Sequence, residues 1–346
     1  MWVRLGLTFR KGEVMQKLIN DPGDFVDEVL QGILKAHRDD LKLSGDPRGI
    51  VRADAPVKGK VGIATGGGSG HLPVFMGYVG RGLADGAAIG NVFSSPNAEQ
   101  MLSVVRAIDG GRGVLFLFGN YGGDVLNFGL AAELAEAEGI RTETVTAADD
   151  IASAPKGDES RRRGIAGIFF LYKVAGASAE EGCDLETVKA MTEHAASNLR
   201  SFGVALAPCI IPAVGRPNFE LPAGQMEIGM GIHGEPGVRR GPLETADAIT
   251  DHLMTALLDD LPHDKGDRFD ILVNGLGATP PEELYIVCGR VFAILEERGL
   301  LVRRAWVGEY ATSLEMAGMS LSLLRLDDEL VRLLDAPAYS PFLVRR

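Results

Sequence analysis

Cysteine is scarce in this 346-residue sequence, which has only Cys183, Cys209 and Cys288. The number is odd, no two of them are close in sequence, and no paired spacing typical of a metal site occurs. Unpaired thiols are typical of reducing compartments. The sequence therefore predicts reduced, structural cysteines and a cytoplasmic protein.

Long hydrophobic runs and an excess of basic residues are also lacking. No apolar stretch reaches the roughly 18 residues that a transmembrane helix needs, and the apolar patch within residues 1–14 is too short for a secretory signal. We expect residues 1–14 to be an N-terminal extension that precedes the first folded domain. The net charge of −12 argues against a nucleic-acid partner, which would select a basic surface.

What the sequence does have is glycine, with 45 residues that cluster in loops. The run Thr65-Gly66-Gly67-Gly68-Ser69-Gly70-His71 follows a predicted strand, Lys60 to Thr65, and precedes a predicted helix, Leu72 to Gly82. No Lys-Ser or Lys-Thr follows the glycines, so the run is not a P-loop. Its spacing also departs from the dinucleotide fingerprint. A tight turn and a loop lined by backbone N–H groups both remain open interpretations.

Strands alternate with helices along the first half, which predicts a layered α/β fold with a largely parallel sheet. Asn97 is expected to cap a helix, the apolar run Gly113 to Phe118 to form a buried strand, and Val125 to Glu138 the next helix. The length suits two domains. We predict two α/β domains with mostly parallel sheets flanked by helices, divided as residues 15–200 and 201–346.

Two further loops carry candidate functional residues. Asn120-Tyr121-Gly122-Gly123-Asp124 follows the buried strand, at the strand end where ligands bind in open α/β sheets. An aspartate there can equally be a helix cap. In the third loop, His233 stands within Gly229 to Gly237, and the surrounding glycines leave its ring accessible. A metal set of His71, Asp124 and His233 has no supporting ligand spacing, so we predict no metal site.

The three loops, in this order, resemble the dihydroxyacetone-binding subunit of dihydroxyacetone kinase. The resemblance extends over nearly the whole chain after Met15 and also includes Met15 to Asp21 and Arg52 to Val57. It implies two α/β domains, a homodimer and a small ketose substrate. It also implies that ATP or ADP with Mg²⁺ is bound by a separate helical partner. The sequence ends at Arg346 without such a unit, so this chain is expected to bind no cofactor itself.

The resemblance also assigns roles to single residues. His233 matches the histidine that adds to the substrate carbonyl and forms a covalent hemiaminal, which selects ketoses over polyols such as glycerol. Asp124 matches the carboxylate that accepts the proton of the hydroxyl to be phosphorylated. His71 matches a histidine that hydrogen-bonds the substrate, and Gly68, Ser69 and Gly70 are expected to contact it.

Three positions depart from the familiar bacterial pattern. Leu72 stands where a glutamate is usual, Gly119 where a lysine is usual, and Gly122 where a threonine is usual. Loss of the lysine predicts a larger cleft, which makes a four- or five-carbon ketose such as erythrulose a competitor to dihydroxyacetone. The sequence leaves open whether the phosphate comes from ATP or from a phosphoprotein. A ketose sensor that transfers no phosphate is the alternative, although such a protein could dispense with Asp124 and His71.

Overall fold

The computed structural model describes residues 16–345, and the predicted extension 1–14 lies outside this range. Two six-stranded sheets form the framework. The first sheet has the order β1-β2-β4-β3-β5-β6. Its strands are β1 (Leu41–Leu43), β2 (Gly49–Arg52), β3 (Gly62–Ser69), β4 (Gly86–Val92), β5 (Val114–Gly119) and β6 (Thr142–Ala147).

The first sheet is parallel where the glycine run lies. Strands β4, β3, β5 and β6 pair in parallel, whereas β1 and β2 add an antiparallel edge. Strand β5 is buried along its whole length, as expected for a strand covered by helices on both faces. The carboxyl ends of β3 and β5 therefore bring His71 and Asp124 to the same edge.

The second sheet has the order β11-β10-β7-β14-β12-β13. Its strands are β7 (Leu199–Ala207), β10 (Gln225–Ile228), β11 (Arg239–Pro242), β12 (Arg268–Gly275), β13 (Leu301–Gly308) and β14 (Ala317–Leu326). Only the β12–β13 pair is parallel. The α/β class is confirmed, but the expectation of a mostly parallel sheet is wrong here. Strand β14, which was not predicted, inserts antiparallel between β7 and β12.

Helices form three layers around the two sheets. The helices are α1 (Phe25–Ala36), α2 (Ala98–Ile108), α3 (Gly122–Ala137), α4 (Ile168–Glu180), α5 (Leu185–Ser197), α6 (Ala246–Asp260), α7 (Pro281–Glu297) and α8 (Asp328–Asp335). Helices α2 and α3 cover the outer face of the first sheet, and α6 and α7 cover the outer face of the second. Helix α4 is buried from Ile168 to Ala179, because it lies in the shared core between the sheets.

The chain's last described elements return to this shared core. Helix α8 contributes Leu330, Leu333 and Leu334 to the same cluster as α4, and the hairpin of β15 (Ala338–Ser340) and β16 (Leu343–Arg345) follows. A smaller hairpin joins β8 (Ile210–Ile211) to β9 (Arg216–Pro217). The two predicted domains thus share an apolar interior, and the division near residue 200 remains a prediction.

Two local predictions near the glycine run are wrong. The glycines Gly66 to Gly68 belong to β3 rather than to a loop, since the strand continues to Ser69. The expected helix Leu72 to Gly82 is replaced by an irregular segment with a single 3₁₀ turn, Met76–Tyr78. By contrast, Asn97 caps α2 through a reciprocal pair of hydrogen bonds with Gln100, as predicted.

Among residues 16–345, no helix is long and apolar enough to cross a membrane.

Candidate functional site

His71 follows β3 and is almost completely buried, with 1% of its surface exposed. Its Nδ1 lies 2.8 Å from the carbonyl oxygen of Thr312. A carbonyl oxygen can only accept, so Nδ1 carries the hydrogen and Nε2 carries a free lone pair. Nε2 is buried without a hydrogen-bond partner. Burial, aided by the charge of His233, lowers the pKa of His71 to about 3, so the ring is neutral and Nε2 is an acceptor.

The glycine run exists because another loop packs directly against it. A Cβ atom at Gly68 would lie 2.8 Å from the Cα of Phe93, and one at Gly70 would lie 2.9 Å from the Phe93 ring. Gly70 also has a φ of +104°, which side chains disfavour. The carbonyl of Ser69 accepts a hydrogen bond from the Phe93 N–H at 3.0 Å. The predicted residues Gly68, Ser69 and Gly70 therefore support Phe93 and place His71.

His233 lies in the loop between β10 and β11, and Glu235 fixes it twice. One carboxylate oxygen of Glu235 lies 3.0 Å from His233 Nδ1 and the other accepts the His233 backbone N–H at 3.0 Å. A Cβ at Gly231 would lie 2.1 Å from Glu235 Oε2, so a side chain there would displace the carboxylate that holds His233. Burial would raise the pKa of Glu235, but the hydrogen bond and charge of His233 outweigh it and lower the pKa to about 2. Because Nδ1 is occupied by this carboxylate, Nε2 is the nitrogen left to react.

Aromatic rings surround the two histidines. The His71 and His233 ring centroids are 4.9 Å apart. The Phe93 ring stacks on His71 at 5.0 Å and meets His233 edge-on at 5.2 Å, while Tyr121 meets His233 at 4.8 Å. Phe93 has a φ of 55°, a costly backbone conformation for a bulky residue. In this conformation the Phe93 ring contacts both histidine rings.

Asp124 lies in the first turn of α3 and is 6% exposed. One carboxylate oxygen, Oδ1, is buried without a hydrogen-bond partner. Burial raises the pKa of Asp124 to about 6, although a hydrogen bond with Ser95 and the charge of His233 oppose the rise. The side chain is thus not a satisfied helix cap, since a cap would accept backbone N–H groups. It is ionised at neutral pH and presents a free acceptor.

Residues 312–314 form hydrogen bonds to the backbone beside both histidines. Leu314 N–H donates to the Gly70 carbonyl at 2.7 Å, and the Thr312 hydroxyl donates to the Leu72 carbonyl at 3.0 Å. The Ser313 hydroxyl donates to the carbonyl of Ile232, the residue before His233. Residues 312–314 therefore set the position of His71 relative to His233, which lie 162 positions apart in the sequence.

Several of these residues were missed at the level of sequence. Glu235 stands two residues after His233 inside the quoted glycine loop, and a carboxylate beside an imidazole is a signal that could have found it. Phe93 and Thr312 carry no such signal, because only the tertiary fold brings them to the histidines.

The site has one nucleophile and two free acceptors. A neutral imidazole can add through Nε2 to a carbonyl carbon. The unpartnered Nε2 of His71 and Oδ1 of Asp124 are suited to accept hydrogen bonds from hydroxyl groups. In residues 16–345, no group of three His, Cys, Asp or Glu side chains is arranged to hold a metal ion. The arrangement suits a small hydroxylated carbonyl compound.

Comparison with known proteins gives a consistent family. Residues 31–342 match the Dak1 domain. The chain is 47% identical to L-erythrulose kinase of Pectobacterium atrosepticum, over 94% of this chain and 56% of that protein. It is 44% identical to the dihydroxyacetone-binding subunit of a dihydroxyacetone kinase of Listeria innocua, over 95% of this chain and 99% of that subunit. The chain thus spans little more than half of the erythrulose kinase but nearly all of the separate subunit.

Solved structures agree with these relatives. The dihydroxyacetone kinase of C. freundii superposes with a TM-score of 0.85 at 33% identity, over 95% of this chain and 60% of that chain. A dihydroxyacetone kinase operon co-activator superposes with a TM-score of 0.83 at 32% identity, over 90% of this chain and 96% of that chain. The same fold therefore occurs in a kinase and in a protein described as a co-activator.

Proposed function

The chain belongs to the Dak1 domain family, and we propose that it is the substrate-binding unit of a kinase that phosphorylates a short ketose. The observation that carries this proposal is the pairing of one oriented nucleophile, His233, with two buried acceptors that have no protein partner, His71 Nε2 and Asp124 Oδ1. A ketose supplies one carbonyl for the first and hydroxyl groups for the others.

Capture of the ketose is a net addition of N–H across C=O. The lone pair on His233 Nε2 attacks the carbonyl carbon, and the C=O π electrons move to oxygen. The alkoxide takes one proton from solvent, and the Nδ1 proton is released to solvent past Glu235, so no net proton is gained or lost and a neutral hemiaminal remains. Glu235 is ionised at neutral pH and hydrogen-bonds the Nδ1 proton until it leaves. Glycerol lacks a carbonyl and cannot react in this way.

Phosphorylation then involves Asp124 and His71. Asp124 accepts the proton of a terminal hydroxyl as the hydroxyl oxygen bonds to the phosphorus of the donor. The bond from that phosphorus to the leaving group of the donor breaks, and its electron pair stays on the leaving group. The neutral His71 accepts a hydrogen bond from a second hydroxyl. In this proposal the nucleotide, ATP or ADP, and its Mg²⁺ are supplied by a helical partner unit, and the substrate-binding units form a homodimer.

Helix α3 offers a surface where such a partner could dock. Val125, Leu126 and Leu130 are exposed aliphatic residues on the helix that begins beside Asp124. Leu126 is 72% exposed, and its burial by a partner would be favourable. A partner seated on α3 would bring its phosphate to the hydroxyl held by Asp124.

Turnover with the nucleotide-carrying partner is expected to rise as pH increases through about 6. The carboxyl of Asp124 must be ionised to accept a proton, and its pKa is raised to about 6, so the protonated form below that pH is inactive. The measurement is kcat against pH in the reconstituted enzyme, with partner in excess. An acidic limb near pH 4 would instead mean that the reacting carboxyl is an ordinary solvated one.

Gly119→Lys is expected to shift preference towards the smaller ketose. A Cβ at Gly119 would lie 3.2 Å from the Tyr121 ring, which itself contacts His233, so a long side chain there would displace the ring and fill the cleft. We expect kcat/KM for erythrulose relative to dihydroxyacetone to fall about tenfold. Gly122→Thr is the matched control, because a Cβ there meets nothing within 4 Å. An unchanged ratio in Gly119→Lys would remove Gly119 from the determinants of substrate size.

The test of the proposal is intact-protein mass spectrometry after incubation with dihydroxyacetone, erythrulose or glycerol. We expect a mass increase equal to the whole ketose with the first two and none with glycerol. No adduct with either ketose, in protein shown to be folded, would contradict the proposal.

A ketose-sensing regulator is the second candidate, supported by the similarity to an operon co-activator. Such a protein needs His233 to capture the ketose but has no use for a base. Burial of the Asp124 carboxylate, whose Oδ1 has no hydrogen-bond partner, costs stability, and a role as the base in catalysis would explain that cost, which favours the kinase. Ketose capture without any turnover, in the presence of each class of nucleotide-carrying partner, would favour the regulator.

A further inference from the structure

We propose that Arg163 is a positioning residue, which fixes the position of the Glu235–His233 pair relative to Asp124. The inference rests on the proposed function, because it concerns the geometry of the same reaction. Arg163 lies between β6 and α4, within a run of three arginines, Arg161 to Arg163. Nothing in the sequence distinguishes it from its two neighbours, yet the structure gives the three side chains different surroundings.

Arg163 is anchored on the side of the first sheet. Its Nε donates to Asp150 at 3.0 Å and its Nη2 lies 2.8 Å from the same carboxylate. The backbone is fixed as well, since the Arg163 N–H donates to the Ser153 hydroxyl at 2.9 Å. The side chain is only 15% exposed. A guanidinium held by two bonds to one carboxylate has little orientational freedom.

The free end of the same guanidinium reaches the His233 loop. Arg163 Nη1 lies 3.8 Å from Glu235 Oε2, and Nη2 lies 3.4 Å from the Gly229 carbonyl oxygen. A Cβ at Gly231 would lie 2.6 Å from Nη1. The loop therefore closes directly over Arg163, and Glu235 is held between this cation and the His233 ring.

The backbone just before Arg163 contacts the loop that ends in Asp124. Asn120 Nδ2 donates to the carbonyl oxygens of Ser160 and Arg162, at 2.9 and 2.7 Å. Asn120 begins the turn that ends in Asp124. Residues 160–163 thus join the loop that carries the base to the loop that carries the nucleophile. A shift of residues 160–163 would change the distance between the captured carbonyl and Asp124, the proposed acceptor of the hydroxyl proton.

Electrostatics support the same role. The charge of Arg163 is among the causes that lower the pKa of Glu235 to about 2, after the opposing effect of burial and the larger effects of His233. Other ionisable groups that interact with this site are His71, Tyr121, Asp149 and Asp150. At Tyr121 the charge of Arg163 likewise opposes the effects of Glu235, Asp150 and Asp149 on the pKa of the phenol.

The experiment compares Arg163→Met and Arg163→Lys with Arg161→Met. Arg161 is a matched control, because it is 77% exposed and pairs only with Asp158 among the described ion pairs. We expect Arg163→Met to slow adduct formation about 10- to 100-fold, Arg163→Lys to restore part of that loss, and Arg161→Met to have no effect. Turnover per captured ketose should fall further in Arg163→Met, since the hydroxyl is then misplaced relative to Asp124.

A double-mutant cycle separates positioning from general destabilisation. In a Glu235→Gln background, the effect of Arg163→Met on adduct formation should largely disappear if Arg163 acts through Glu235. Independent, multiplying losses would overturn the proposal, as would an Arg163→Met variant that forms adduct at the wild-type rate.

A readout without substrate keeps the inference distinct from the proposed function. The Glu235 carboxyl can be titrated by NMR in the ligand-free protein, where its pKa is expected to rise in Arg163→Met and to stay unchanged in Arg161→Met. If the wild type forms no ketose adduct, the proposed function fails while this shift can still be observed. If Arg163→Met does not fold, the comparison of Arg163→Lys with wild type decides, and an unshifted Glu235 together with an unchanged adduct rate would overturn the role.

Discussion

His233→Ala is expected to abolish the covalent ketose adduct completely. The variant removes Nε2 of His233, the nitrogen that the site presents to a carbonyl. The other nitrogen of this ring, Nδ1, is held by the Glu235 carboxylate. The His233 side chain is 23% exposed, and its loop is held independently by Glu235, Asn218 and Ser313. We therefore expect the fold to survive. Intact-protein mass spectrometry with dihydroxyacetone and erythrulose measures the adduct directly, and circular dichroism checks the fold.

The form of the adduct is as informative as its presence. A hemiaminal keeps every atom of the ketose, whereas a lysine imine loses water, so the mass increase identifies the reacting group. His252→Ala is a suitable control, because His252 is an exposed histidine on α6 that bonds Glu244. An adduct of undiminished mass and yield in His233→Ala would exclude His233 as the nucleophile and direct attention to the lysines.

The parts of the fold that local sequence determines were predicted correctly. The buried strand β5 and the Asn97 cap of α2 follow from a run of apolar residues and from a side chain that bonds its own helix end. Strand β14 was missed, although its residues Ala317–Leu326 are largely buried. Its alternating serines resemble a loop in composition, and only the pairing with β7 and β12 makes it a central strand.

The segment after His71 was misjudged for a related reason. Pro73 suggested the first turn of a helix, but residues 72–82 make their main contacts with distant parts of the chain. Val79 is fully buried, the Tyr78 hydroxyl bonds the carbonyl of Tyr310, and a Cβ at Gly80 would overlap Tyr339. Such tertiary contacts override a local helix signal, and they cannot be read from a pattern of spacing.

The three loops with His71, Asp124 and His233 were predicted from the sequence, and the roles of these residues remain predictions. The structure places the His71 ring beside the His233 ring, and the charge of His233 acts on Asp124. The side chains that orient the two rings were not predicted. The tautomer of His71 depends on Thr312, and the orientation of His233 depends on Glu235. These partners come from other elements, so only a folded structure could reveal which nitrogen of each ring is free.

Asp124→Asn is expected to keep ketose capture and to lose turnover by about 10²- to 10⁴-fold, the usual contribution of a positioned base. Asparagine has nearly the same shape but cannot accept the hydroxyl proton. Adduct formation should continue, because His233 and Glu235 are untouched. The measurements are adduct mass and kcat with the nucleotide-carrying partner. Glu136→Gln, an exposed change on the same helix, is the control, and normal turnover in Asp124→Asn would make Asp124 a structural residue.

The same variant is expected to be more stable than the wild type at neutral pH. The pKa of Asp124 rises from 3.8 to about 6 on folding. The protonated group therefore makes its full contribution to stability below pH about 4, and that contribution is lost progressively as pH rises from about 4 through about 6. A difference of two pH units corresponds to a cost of up to about 3 kcal/mol at pH 7, which the neutral asparagine avoids. Urea unfolding should show Asp124→Asn gaining stability at pH 7 and almost none at pH 4. A gain that is independent of pH would mean that burial of the charge is not its cause, whereas the expected pattern would show that this fold sacrifices stability to keep a base in its site.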